Sequence, residues 1–382
     1  MIGCVLCTAF YCVLCRTCLV LLSRCCVVLL LSSTSELTSV VLITASAQVW
    51  ARGCVAQLSM SNAHKFALIN RMIENATKIR YIPRKTFTHH LFGKHEQQNP
   101  LGGGYTEWSG DGVLHFKYTV PPCVCVGPRQ SMPLGAIVSL IDETTTWVSI
   151  GEDRSRRGGV SITLEAALAE QDRPPVAGDT LIFKAKMEKT GKSVGFQSCE
   201  IIDEGTGRLV ATGYHVKLLT TEGPLWALAF GPTLLPLTEQ LSRLTFVDRP
   251  APVIDPDDAD ALRRLLEPTS CEVDAAAGTA LSQFTCVKEH LQETSLVFGG
   301  VQAMLHEVAA QRAADAVLQK DETAQCCSML VRYLAGSKKG DELSANAKAD
   351  ASVFDGNGIA VKSTLAGKGV TRSESELSFV RV

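Results

Sequence analysis

Acidic residues are almost missing from the first quarter of this 382-residue chain. Up to residue 95 only Glu36 and Glu74 stand against ten lysines and arginines, Arg16 to Lys94. An acid-poor, arginine-containing start suits an organelle-import segment, although this one is unusually apolar. Over the full chain the formal charge is only -2, which excludes a polyanion-binding surface across the whole molecule and leaves no expected nucleic-acid partner. From residue 110 onward there is no HExxH motif, paired histidine or tandem CxxC, so neither a metal nor another cofactor is expected. Cysteine lacks a framework spacing there too, which excludes a disulfide scaffold and fits a reducing compartment. Gly191-Lys192-Ser193 ends like a phosphate loop, but Lys186 occupies the place of the first glycine and a strand-like run follows.

Seven of the 15 cysteines lie before residue 27, with the spacings Cys4–Cys7, Cys12–Cys15 and Cys15–Cys18. Valine, leucine and threonine fill the gaps, with no turn glycine or nearby histidine, so the run reads as apolar rather than metal-binding. Residues 1–59 form a leader. Ile2–Cys15 is too short to span a bilayer, and Ile2–Leu31 spans only with Arg16 and Arg24 inside it. Ala45-Ser46-Ala47 resembles a cleavage site, and Met60 offers an alternative start. Mitochondrial import is the leading expectation for this segment, with a cytoplasmic or membrane-tethered protein as the alternatives.

What the chain does have, at 46% hydrophobic and 20% charged residues, is enough apolar material for two packed domains. One helix is written nearly twice. Leu134–Ile150 (LGAIVSLIDETTTWVSI) and Phe298–Ala314 (FGGVQAMLHEVAAQRAA) each start at glycine and run apolar for about two turns. Asp142 lies seven residues after Gly135, and Glu307 seven after Gly300. A carboxylate in an apolar helix is costly to bury and needs a partner or a task.

Strand-like runs surround both helices in the same order. Gly112–Val120 places Leu114, Phe116, Tyr118 and Val120 on one face, and Ala280–Val287 precedes the second helix similarly. After the helices, Gly159–Leu164 answers Gln325–Val331, and the Gly-Asp turns at 178 and 340 introduce two further runs each. The last runs, 207–218 and 369–380, also correspond. The expected organisation is a basic helical arm and loop at 60–109, a first domain at 110–220, a linker at 221–277 and a second domain at 278–382. In the arm, Phe66, Leu68, Ile69, Met72 and Ile73 of His64–Arg80 share a packing face, with membrane contact the minority option. In the linker, Asp255-Pro256 opens a short helix that packs Leu262, Leu265 and Leu266.

At these residues the chain resembles two tandem hotdog domains of the acyl-CoA thioesterase family, phenylacetate-type branch. The first match spans roughly 110–220: Asp142, Gly159-Val160-Ser161, Ala177-Gly178-Asp179, Thr190-Gly191-Lys192 and Gly213-Tyr214-His215-Val216-Lys217 follow in family order. The second, roughly 278–382, rests on Phe298-Gly299-Gly300, Glu307, Tyr333-Leu334 and Gly340-Asp341. The resemblance implies an α+β double hotdog, each copy a long central helix wrapped by an antiparallel sheet, joined as an intrachain pseudo-dimer. Exposed sheet faces would allow further homo-oligomerisation.

The family opens its helix with His-Gly-Gly, preceded by asparagine; a carboxylate follows on the helix and a serine on the next strand. Here Pro133-Leu134-Gly135 and Phe298-Gly299-Gly300 replace the motif, with Gly127 and Gln292 at the asparagine positions. Because each family site combines two partners, the resemblance implies a first site of Asp142, Ser161, Gln292, Gly299 and Gly300 with Phe298 lining it. The second would join Glu307 and Cys326 to Gly127, Leu134 and Gly135, and has lost nearly all polar help. An acyl-CoA substrate and carboxylate-assisted hydrolysis follow. Helix-start amides suit the developing oxyanion, glycine lets a carbonyl approach them, and Asp142 could be general base or nucleophile. The alternative is a catalytically degenerate pseudo-dimer that binds acyl groups or assembles with other proteins. Structural readings stand beside the catalytic ones: Asp142 bonded to Thr144–Thr146, Glu307 paired with Arg312, and His215 and His306 as core or surface histidines.

Overall fold

The computed structural model describes residues 17–18, 25–28, 31–32, 43–46, 62, 67, 104–127, 129–153, 157–171, 173–219, 261–291, 296–319, 322–350 and 358–381. Two compact units divide at Ser61/Asn62. The first contains two short antiparallel pairs, β1 (Thr17–Cys18) with β3 (Leu31–Ser32) and β2 (Cys25–Val28) with β4 (Ile43–Ser46). Among the described residues no helix is long and apolar enough to cross a membrane. Within 60–103 of the expected arm only Asn62 and Ala67 are described, both helical; the rest of that stretch, and the Asp255-Pro256 opening of the linker helix, lie outside the described residues.

The second unit is built on one twelve-stranded antiparallel sheet. Its first half comprises β5 (Gly104–Trp108), β6 (Val113–Thr119), helix α1 (Leu134–Glu152), β7 (Val160–Leu168), β8 (Thr180–Thr190), β9 (Val194–Asp203) and β10 (Leu209–Leu218). After α2 (Ala261–Leu266) come β11 (Ser270–Asp274), β12 (Thr279–Thr285), α3 (Gly299–Ala316), β13 (Ala324–Tyr333), β14 (Glu342–Asp350), β15 (Gly358–Gly367) and β16 (Val370–Arg381). Across the sheet the order is β11-β12-β14-β15-β16-β13-β7-β10-β9-β8-β6-β5, so each half runs the same way outward from its central strand. The halves join where β13 meets β7, with Leu330 opposite Glu165 and Val331 opposite Leu164.

Alternation explains the strands. In β6 the buried positions are Leu114, Phe116 and Tyr118, as the period-two pattern requires, and Phe116 meets Phe183 of β8 edge-on at 5.9 Å. The outermost strands β5 and β11 lie in segments assigned to the arm and the linker. Each is a hairpin partner of the next strand. Within α2, Leu262 and Leu266 are buried.

The two long helices cover the sheet and pack on each other antiparallel. Gly135 faces Met304, Ser139 lies between Met304 and Gly300, and Asp142 lies beside Gly299. A β-carbon on Gly300 would collide with Ser139 Oγ, so glycine there sets how close the helices come. On the sheet side of α3, the buried His306 bonds Ser363 Oγ through Nδ1 and Ser373 Oγ through Nε2, both at 2.9 Å. Burial pushes its pKa from 6.5 to about 3, so it is a neutral core histidine, as the sequence suggested. An unfolded His306 takes up a proton below pH 6.5 while the folded one resists until about 3. Its contribution is therefore complete above 6.5 and lost as pH falls through that window. His306→Gln should flatten the acid limb of the stability–pH curve, measured by denaturant unfolding between pH 6.5 and 4. An unchanged limb would remove His306 from the cause.

Candidate active site

Asp142, only 4% exposed, projects from the middle of α1. Its two carboxylate oxygens have different surroundings. Oδ1 faces β7 and β10 of its own half: Ser161 Oγ donates to it at 3.3 Å, and Lys217 Nζ lies 3.5 Å away. Lys217 is itself 2% exposed and also donates to Thr146 Oγ1 at 2.7 Å. Behind Ser161 stands His215, with Nε2 at 2.9 Å from the serine oxygen and Nδ1 at 2.6 Å from Thr145 Oγ1. Burial, then the Lys217 charge, holds the His215 pKa well below its usual value, so the ring is neutral. The tautomer that serves Asp142 carries its proton on Nε2, so that His215 donates to Ser161 Oγ and Ser161 to Oδ1.

Oδ2 turns toward the other half. It lies 2.9 Å from the place a β-carbon on Gly299 would occupy, at the first residue of α3. Tyr333 of β13 holds that helix start, donating from its hydroxyl to Gly299 O at 3.0 Å. Burial and the neighbouring Asp142 charge raise the Tyr333 pKa well above its usual value. Phe298 is buried and donates its N–H to His290 O at 2.9 Å, placing its ring against Gly300. Asp142, Ser161, Gly299, Gly300 and Phe298 therefore come together, with Ser161, Gly299 and Tyr333 only half-buried at the edge of the cluster. Gln292 lies outside the described residues.

The second candidate site is arranged differently. Glu307, 7% exposed, reaches across to the start of α1 and accepts the N–H groups of Leu134 at 3.1 Å and Gly135 at 2.6 Å. Burial raises its pKa to about 7 against the lowering by those two amides. This corrects the expected pairing with Arg312, which instead faces Glu267 at 3.8 Å and Ser282. One extra methylene lets glutamate cover a distance to the facing helix start that Asp142 does not. The surroundings have also changed. On β10 and β7, Lys217 stands opposite Ser161 beside a bulge; on β16 and β13, Phe379 stands opposite Cys326 beside a bulge. Burial and the Glu307 charge keep the Cys326 thiol protonated. The helix-start amides of this site are occupied and its cation is a phenylalanine.

Three members of the first cluster had no catalytic role in the sequence reading: Lys217 and Tyr333 only carried the resemblance, and Thr145 belonged to the structural Thr144–Thr146 reading. His215, taken as a core or surface histidine, is core but belongs to the same network. A usable signal existed in β10, where residues 213, 215 and 217 alternate inward, because lysine at an inward strand position is anomalous. A polar groove of about 560 Å³ lies elsewhere, on the outer sheet face between His115, Lys184, Lys186, Glu188 and Tyr214; Asp142 does not line it. Among the described residues no group of three or more His, Cys, Asp or Glu is placed to hold a metal ion.

Solved structures similar to this chain include several thioesterases and a conserved protein of unknown function with a hotdog fold from Alicyclobacillus acidocaldarius. They include the 12:0-ACP thioesterase from Umbellularia californica, 14% identical, covering 71% of this chain and 98% of that one, with a TM-score of 0.46. A phenylacetic acid degradation-related protein from Ralstonia eutropha is 18% identical over 31% of this chain and 89% of its own, TM-score 0.29. Among curated proteins the chain is similar to acyl-coenzyme A thioesterase 13 of Pongo abelii and of Homo sapiens. Each is 28% identical over 85 residues, which is 22% of this chain and 58% of the relative, so the chain spans about half the length of the curated relatives it matches. No protein-family model matches the chain.

Proposed function

We propose that the chain is an acyl-CoA thioester hydrolase: two hotdog copies, before and after the linker, form an intrachain pseudo-dimer with one working site between them. The observation that carries this reading is the Asp142 carboxylate of one half lying against Gly299 of the other. Oδ1 is held by Ser161 and Lys217, while Oδ2 is aimed at the helix start where a thioester carbonyl would bind. A fatty or aryl acyl-CoA would place that carbonyl oxygen on the Gly299 and Gly300 N–H groups, where fixed donors and the α3 dipole favour the oxyanion. Oδ2 would then activate water or attack directly, with Gln292 orienting the water and CoA leaving as the thiol. Lysines and arginines at the mouth would meet the CoA phosphates. The leader would direct the protein to the mitochondrion.

One observation favours a second reading, acyl binding without turnover. Lys217, buried 3.5 Å from Oδ1, gives Asp142 a structural partner, so burial of the carboxylate does not by itself require a catalytic task. Free-CoA release from a panel of acyl-CoAs separates the two readings: turnover supports hydrolysis, and binding without release supports the second. Gly299→Ala gives a finer test, because the new methyl would stand against Oδ2 and the path of the carbonyl. kcat should fall about 10²-fold, as for loss of one oxyanion donor, while the thermal midpoint changes little. Unchanged kcat would place the carbonyl elsewhere.

A further inference from the structure

The hydrolase reading uses one helix acid and leaves Glu307 without a task. We infer that Glu307 is a positioning residue for the Asp142 site: by gripping the Leu134 and Gly135 amides it pins the register of the antiparallel helix pair and so holds Gly299 against Asp142. This rests on the hydrolase reading for its catalytic consequence, but the pin itself is a matter of geometry. Asp142 lies eight residues along α1 from Leu134, and Glu307 eight along α3 from Gly299. At the rise of an α-helix these contacts are two rungs about 12 Å apart. One rung is tied by two hydrogen bonds, at 3.1 and 2.6 Å. At the other, no hydrogen bond joins Asp142 to Gly299 among the described residues, and Oδ2 lies 2.9 Å from the place of a Gly299 β-carbon.

Between the rungs, packing is made by small or flexible side chains: Gly135 and Ser139 from α1, Gly300 and Met304 from α3. Such a surface interlocks weakly along the helix axis, so a directional contact is needed to fix the slide. A slip of one residue, about 1.5 Å, would carry Gly299 off Asp142, and misplacement by about 1 Å can cost 10²-fold in rate. The chain entering α1 is also tied by Met132 N–H to Pro175 O at 2.8 Å, but that bond lies within its own half and does not join α1 to α3. Cys326 is a buried thiol and Phe379 beside it is apolar. Glutamine at 307 keeps the shape, but presents an NH₂ group to one of the two N–H donors.

The test uses full-length protein labelled with [15N]glycine, which reports Gly135 and Gly299 together. In Glu307→Gln the Gly135 amide should exchange faster with solvent and the Gly299 resonance should move. kcat for acyl-CoA should fall about 10²-fold while KM stays within about two-fold, the pattern of a displaced reacting group rather than lost binding. In Glu307→Ala, formate should refill the vacated place and return part of the lost kcat. Should the glutamine variant fail to fold, Glu307→Asp, which keeps the charge but stops one methylene short, carries the same measurements. Unchanged Gly135 exchange would overturn the pin, and a stationary Gly299 resonance with unchanged kcat would overturn its positioning role. If wild type releases no CoA the hydrolase reading alone fails, since the Gly299 resonance still decides whether Glu307 sets the register.

Discussion

Replacing Asp142 with asparagine is expected to lower kcat for acyl-CoA hydrolysis by about 10³-fold, with the acyl-CoA still bound. Asparagine keeps the volume and can still accept a bond from Ser161, so the helix pair should stay closed. What it loses is the basic and nucleophilic oxygen at Oδ2, and general-base assistance contributes roughly 10² to 10⁴ in rate. Removing the negative charge also leaves Lys217 buried without its counter-charge, so some loss of stability should accompany the loss of turnover. Stopped-time assays of free CoA, with dissociation constants measured separately, distinguish the two effects. Full activity in Asp142→Asn would transfer the chemistry to another group.

Lys217→Met should be the most destabilising single change in the cluster, by about 3–5 kcal/mol, the cost of breaking a buried ion pair from one side. The ammonium is enclosed by the sheet, 3.5 Å from Oδ1, and its bond to Thr146 ties that carboxylate to the next turn of α1. Methionine fills most of the volume but leaves the buried Asp142 without its neighbouring cation. The double variant Asp142→Asn/Lys217→Met is the sharper case. With both charges gone, stability should recover much of what the single lysine change lost, because two neutral groups of similar size pack without an orphaned charge. Strict additivity of the two changes in urea unfolding would mean that the pair does not interact.

The sequence made the helices and most strands legible because they carry strong periodic signals. Each glycine-led apolar helix stands out, and strands such as β6 alternate cleanly over seven residues. The outer strand β11 did not stand out, since all five of its residues are exposed and no apolar face marks it. Asp142, Ser161, Gly299 and Gly300 were legible through their order along the resemblance. The role of Glu307 was not, for its partners Leu134 and Gly135 are more than 170 residues away in the chain. Arg312 looked the natural partner because it lies near in sequence, whereas the amides of a facing helix start have no side-chain signature. Lys217 was visible as a residue, but its meaning depends on knowing that it faces Ser161 across two strands.

The most direct test of a site assembled from both halves is a crystal structure of Asp142→Asn with intact acyl-CoA. The thioester oxygen should lie about 2.7–3.1 Å from the Gly299 or Gly300 N–H, with the carbonyl carbon facing residue 142. A carbonyl found at the Leu134–Gly135 amides, or in the outer groove beside Lys184 and Tyr214, would contradict the account.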